Sequence, residues 1–166
     1  MILRCTRKLL RLLATEPVAD PEPVPGAEDW YGNLLWLDRR KCLLLTHAGT
    51  LFSVFQADVH AADLRDTHRL VTGLIARELA REGLPPATFG PLDRQKLIVA
   101  RTADRSVLGC MNDMAVLCEH AIARSGGLRQ ADLAGLNRAL RRNINSARGY
   151  TPPIELAAQR LRANRC

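Results

Sequence analysis

Three apolar runs, "NLLWLD", "KCLLLT" and "LFSVF", follow one another between Asn33 and Phe55, parted only by Arg39-Arg40 and by "HAGT". Breaks that short leave room for a tight turn and nothing longer, so the runs are predicted to be antiparallel neighbours in a meander. The run "CLLLT" is apolar at successive positions, which requires cover on both faces. It is predicted to be the central strand.

The rest of the chain supplies the cover. A short strand is expected at Ile2 to Cys5, then a helix from Thr6, a good N-cap, through about Ala14. Residues 15–27 contain "EPVADPEPVPG", where four prolines and three carboxylates in eleven residues forbid helix and sheet interior alike, so a flexible surface loop is predicted. From His60 to about Gly83, Leu64, Val71, Leu74, Ile75 and Leu79 recur at the period of an amphipathic helix, stopped by Gly83, Pro85 and Pro86. "KLIVART" reads as a further strand, and Ser106 to Arg124 as a helix with Val107, Met111, Met114, Cys118 and Ile122 on one stripe. "LRQADLAGLNRALRRNI" gives another helix, and a last short one starts near Pro153, since proline suits a first turn. The expected class is α+β: an antiparallel sheet of about four to five strands, amphipathic helices packed against it, and a helical C-terminal third. Residues 1–166 are expected to form one domain, with 128–166 as a basic helical tail packed upon it.

Composition narrows the function classes. With 47% apolar and 25% charged residues the chain has the balance of an ordinary globular protein, and no run approaches the roughly 20 apolar residues of a membrane span. At the start, Arg4, Arg7, Lys8 and Arg11 interrupt the leucines, so no signal peptide is expected and the protein is read as cytoplasmic. Cys5, Cys42, Cys110, Cys118 and Cys166 are odd in number and form no C-x-x-C pair, which fits a reducing compartment. His47, His60, His68 and His120 lack ligand spacing, so no metal is expected, and no motif calls for a cofactor.

The net charge of +7 is unevenly placed. From Arg124 onward nine arginines face only Asp132 and Glu155. Such a surplus is the footprint of a polyanion-binding surface, for nucleic acid or an acidic protein, and it is also what an arginine-rich genome leaves on any solvated helix. Arg138, Arg141, Arg142 and Arg148 are the candidate contacts of the tail, and Arg39 with Arg40 those of the meander, where a guanidinium pair converging with Arg4 and Lys8 would suit a phosphate or carboxylate. Trp30, Tyr31 and Trp36 precede that turn, as core residues, a hydrophobic lid or a stacking surface.

"ADRSVLGCMNDM" at 103–114 places Cys110, Asn112 and Asp113 in a helix opening. Cys110 and His120 are ten residues apart on that helix, about 15 Å, too far for a nucleophile and its base. Asp104 or Ser106 is expected to cap the first free amide groups, and Gly109 would let the helix approach the sheet closely. Asn112 and Asp113 would then need partners, with Arg39 and Arg40 the nearest candidates; alternatively Asp113, Asn112 and His120 are catalytic residues of an enzyme acting on nucleic acid or a phosphorylated small molecule.

The stretches "MILRCTRKLL", "DWYGNLLWLDRRKCLLLTHAGTLFSVF", "DRSVLGCMNDM" and "LNRALRRNINSARGYTPPIEL" together resemble an uncharacterised family of small bacterial single-domain proteins, a domain of unknown function. The resemblance implies a domain of that type and transfers no activity or catalytic residue. The tail "LNRALRRNINSARGYTPPIE" is also similar to the closing segment of some transposase integrase cores, without their carboxylate triad, which leaves an association with mobile DNA open. The sequence reading favours a binding or regulatory protein that engages a negatively charged partner through its arginine-rich C-terminal helices. An enzyme using Asn112 and Asp113, or a homo-oligomeric structural module, are the alternatives.

Overall fold

A computed structural model describes residues 1–13, 24–92 and 96–163. In chain order the elements are β1 (Ile2–Cys5), α1 (Arg7–Leu13), β2 (Trp30–Leu37), β3 (Arg40–His47), β4 (Ser53–Gln56), α2 (Thr67–Arg81), β5 (Ile98–Arg101), α3 (Arg105–Arg124), α4 (Leu133–Leu140) and α5 (Pro153–Ala163), with 3₁₀ turns at Asp63–Asp66, Pro86–Phe89 and Ser146–Arg148. Most of the predicted Pro-rich loop, its residues 15–23, lies outside the described residues, as does Cys166.

The five strands form one sheet in the order β4-β3-β2-β1-β5. The meander holds for β2, β3 and β4, which pair antiparallel, Leu34 opposite Leu43 and Leu44 opposite Phe55. It fails for β1, which runs parallel to both β2 and β5, so the sheet is mixed and not purely antiparallel. The reason is in the connections: a strand followed by a helix returns to the sheet in the same direction, and β1 and β2 are joined through α1. The same insertion puts β2, not β3, in the middle of the sheet.

β3 nonetheless has both faces covered, as its unbroken apolar run requires. Leu43 and Leu45 join a core with Leu9, Trp30, Phe52, Val71, Ile75, Leu79 and Ala157, so α1, α2 and α5 cover this face. Cys42 and Leu44 join the opposite core with Leu35, Phe55, Met114, Cys118, Leu136 and Leu140, so α3 and α4 cover that one. The basic tail therefore divides, α4 on one layer and α5 on the other. Every residue of the predicted α3 stripe is buried. No helix among the described residues is long and apolar enough to cross a membrane.

Local chemistry sets the ends of α3. The Asp104 carboxylate accepts from the amides of Ser106 and Val107, at 2.8 and 3.2 Å, and the Asp104 N–H donates to the Tyr31 hydroxyl. Gly126 and Gly127 follow its last turn with φ of 82° and 116°; at Gly127 a β-carbon would lie 2.6 Å from Asp38 Oδ2, which accepts the Leu128 N–H. Gly127 thus lets the chain leave α3 against the β2–β3 turn. Gly109 is different from the expectation: it lies on the outer side, and a β-carbon there would meet nothing within 4 Å.

Candidate functional site

The structure does not bring Asn112, Asp113 and His120 together with the arginines of the meander. Asn112, Asp113 and His120 are all exposed, and among the described residues the side chains of Asn112 and Asp113 make no hydrogen bond. Asp113 and His120 are seven residues apart on one helix, about 10 Å of rise. Arg39 and Arg40 do not come to them: Arg40 pairs with Asp58, and Arg39 is exposed in the left-handed turn between β2 and β3, at φ 60°. Nor do those arginines converge with Arg4, which lies opposite Tyr31, six residues or about 20 Å up β2 from the turn. Cys110 is buried, and burial raises its thiol pKa, the reverse of nucleophile activation.

The structure brings charged groups of α2 together with two of the candidate contacts of the tail, Arg141 and Arg142. Glu78 and Glu82, at the end of α2, meet four guanidinium groups. Glu78 Oε1 accepts from Arg77 Nε (3.1 Å) and Arg81 Nη1 (2.7 Å), and its Oε2 from Arg141 Nη1 (3.0 Å). Glu82 Oε1 accepts from Arg141 Nε (2.8 Å) and Arg142 Nη1 (3.0 Å), and its Oε2 from Arg142 Nη2 (2.7 Å). The Glu78 side chain is fully buried and that of Arg141 is 1% exposed, whereas the side chains of Arg77, Arg81 and Arg142 are 41%, 48% and 48% exposed. Bonding to Arg142, then to Arg141, holds the Glu82 carboxyl below its ordinary pKa against the opposing effect of burial, and the same bond raises Arg142. Four cations against two anions leave the cluster two charges positive.

This network determines what the candidate arginines are free to do. Arg141 is structural: it links the end of α4 to the end of α2 and lies over the Phe52 ring, 5.4 Å from its centroid. Arg148 is spent on backbone carbonyls, donating to Gly49 O (3.1 Å) and Ala48 O (2.5 Å). Arg142 is shared between Glu82 and solvent, and Arg138 is exposed. Between α3 and α4 a groove of about 530 Å³ opens beside this surface, with Leu117, Ala121, Leu136, Ala139 and Leu140 along its floor and His120, Arg124, Arg142 and Asn143 around it.

Among the other buried polar residues, Asn137 and Arg4 are satisfied by their partners, whereas His47 bonds through Nδ1 only and its buried Nε2 has no hydrogen-bond partner among the described residues. Asn137 closes the edge of the sheet: its Oδ1 accepts from Phe55 N and its Nδ2 donates to Phe55 O, both at 2.8 Å, so one side chain serves β4 as a further strand would. Arg4 Nε pairs with Asp29 Oδ2 at 2.6 Å, with side chains 0% and 5% exposed, while its Nη1 donates to Arg101 O. His47 packs against Trp30 and Phe89, ring centroids 5.2 and 4.4 Å away. Its Nδ1 accepts from the Thr50 N–H (3.3 Å) and lies 3.1 Å from the Thr50 hydroxyl, which places the imidazole proton on Nε2. Burial, then the nearby Arg160 and Arg148, lowers the pKa of His47 to about 3. Of the three aromatics near the meander, Trp30 and Tyr31 are core; Trp36 is 58% exposed with Lys41 Nζ 5.8 Å from its ring centroid.

Of these buried groups only Asn137 leaves a sign in one dimension. Glu78 sits in "IARELAR" among alternating charges, and Asn137 in "GLNRAL" differs from a solvated asparagine only by lying on the apolar stripe with Leu133, Leu136 and Leu140. That stripe is the one signal that singles Asn137 out. Groups of three or more metal-ligating side chains are absent among the described residues.

A family model described as Domain of unknown function (DUF6933) matches residues 2–156. The chain belongs to this family. The DUF6933 match runs from β1 into α5, so it takes in both cores apart from Ala157, with the Glu78–Glu82 network, Asn137 and the α3–α4 groove. Comparison with curated proteins and with solved structures finds no match. The family description assigns no activity, and no residue role is carried over from it.

Proposed function

We propose that this DUF6933 chain is a binding module, not an enzyme, for a negatively charged partner, with its contact surface where α2, α3 and α4 end. One observation carries the reading: Glu78 and Glu82 are outnumbered two to one by arginines, and three of those four guanidinium groups remain about half exposed. The surplus guanidinium groups repel one another, and an anionic partner would relieve that repulsion. Exposed Arg138 on α4 extends the same surface, whereas Arg141 and Arg148 support the scaffold.

Binding of heparin or a double-stranded oligonucleotide, followed by fluorescence anisotropy, tests this. Affinity is expected to fall at least about tenfold between about 50 and about 200 mM salt, with a log–log slope that shrinks in the double variant Arg81→Ala/Arg138→Ala while its melting temperature stays close to that of the parent. A flat salt response, or binding unchanged in the double variant, overturns the proposal.

A further inference from the structure

We infer that the α3–α4 groove docks an acidic amphipathic helix of a partner protein; this rests on the proposed function and names the partner class. The floor of the groove is aliphatic. Leu117 is 41% exposed on a helix whose other large apolar side chains, Val116 apart, face the sheet, and Ile144, which directly follows the lining residue Asn143, is 55% exposed. Ala121 and Ala139 keep the middle of the floor low, so that another backbone can come close. From Leu117 to Arg124 is seven residues, about 10 Å, or two helical turns. That length matches the i, i+3, i+4, i+7 anchors by which a helix lies in a groove.

The walls choose the charge of the occupant. Arg124 is exposed and carries no ion pair among the described residues; Arg142 brings the positive end of the Glu78–Glu82 network to the same groove, and His120 lines its α3 side. Carboxylates flanking an apolar stripe complement this arrangement of cations around a greasy floor. A nucleic acid suits it less, because the floor is aliphatic and the lining has no Phe, Tyr or Trp ring on which a base could stack. A second copy suits it less as well, since two chains of net charge +7 would be brought together through a positive surface.

The test uses the full chain and two labelled synthetic peptides of one composition. In the first, leucines fall at i, i+3, i+4 and i+7 with glutamates on the flanks; in the second, the order is scrambled so that no stripe forms. The ordered peptide is expected to bind at least about tenfold more tightly than the scrambled one, and to lose at least about tenfold in affinity against Leu117→Asp and against Arg124→Glu. Both substituted residues are exposed, and unchanged melting temperatures establish that the variants fold. Equal binding of the two peptides overturns the helix inference. If heparin and the oligonucleotide bind with steep salt dependence while neither peptide does, the helix inference falls and the anionic-partner reading stands; if no anion binds at all, both fall. A concentration-dependent dimer in light scattering, abolished by Leu117→Asp, also overturns the inference, since the groove would then be filled by a second copy.

Discussion

His47 shows how much a single buried side chain can commit a fold to one protonation state. It is fully buried between Trp30 and Phe89, its Nδ1 is engaged by Thr50, and its pKa falls from 6.5 to about 3, so the folded protein holds it neutral. In the unfolded chain the imidazole takes up a proton below about pH 6.5. The unfolded state therefore binds one proton more than the folded state between about pH 6.5 and about pH 3, and stability is complete above that window and lost as pH falls through it. The slope from this residue is about 1.4 kcal/mol per pH unit. Urea unfolding of the parent and of His47→Asn, measured at about pH 7, 6, 5 and 4, should show a shallower dependence in the variant, whatever its absolute stability; parallel curves would mean that His47 titrates normally. The scattered histidines of the sequence, read only for ligand spacing, gave no sign of this, because burial against two aromatic rings is a property of neighbours distant in the chain.

At the scale of elements, α4 and β4 depend on each other through Asn137. A four-residue edge strand would otherwise expose Phe55 N–H and C=O toward the helix that covers it, and Asn137 fills both bonds from one side chain. Asn137→Leu keeps the branched shape and the stripe but leaves that N–H and C=O buried and unpaired, at about 1–3 kcal/mol each. We expect a loss of about 2–4 kcal/mol in denaturant unfolding, with hydrogen-exchange protection falling first at Phe55. Loss below about 0.5 kcal/mol would show that solvent replaces the amide freely. Most helices of this protein were legible from periodicity, α3 almost residue for residue, and so were its Asp104 cap and the proline start of α5. The helix predicted from "LRQADLAGLNRALRRNI" was too long, since α4 spans only Leu133–Leu140: Asp132 caps its start, and Arg141, its C-cap, bonds Glu78 and Glu82.

Over the whole molecule, the Glu78–Glu82 network fastens the two layers. α2 lies on one face of the sheet and α4 on the other, and Arg141 reaches from the second to carboxylates of the first around the β4 edge. Arg141→Met should cost about 3–5 kcal/mol, because a buried carboxylate loses a buried partner, while Arg142→Ala, whose side chain is half exposed and solvent-screened, should cost no more than about 1 kcal/mol. Chemical denaturation of both variants checks the ratio; equal losses would show that position in the network does not matter.

The sequence by itself determined the α+β class, the three-strand meander, the apolar faces of the helices and the excess of positive charge in the last third, since these follow from periodicity, turn length and residue counts. It did not decide strand order or direction around β1, which the α1 connection sets, nor which arginines are spent on the scaffold and which remain for a partner. That division rests on where Glu78 and Glu82 come to lie relative to Arg141 and Arg142, about sixty residues away, and only packing two layers on one sheet brings them within bonding distance.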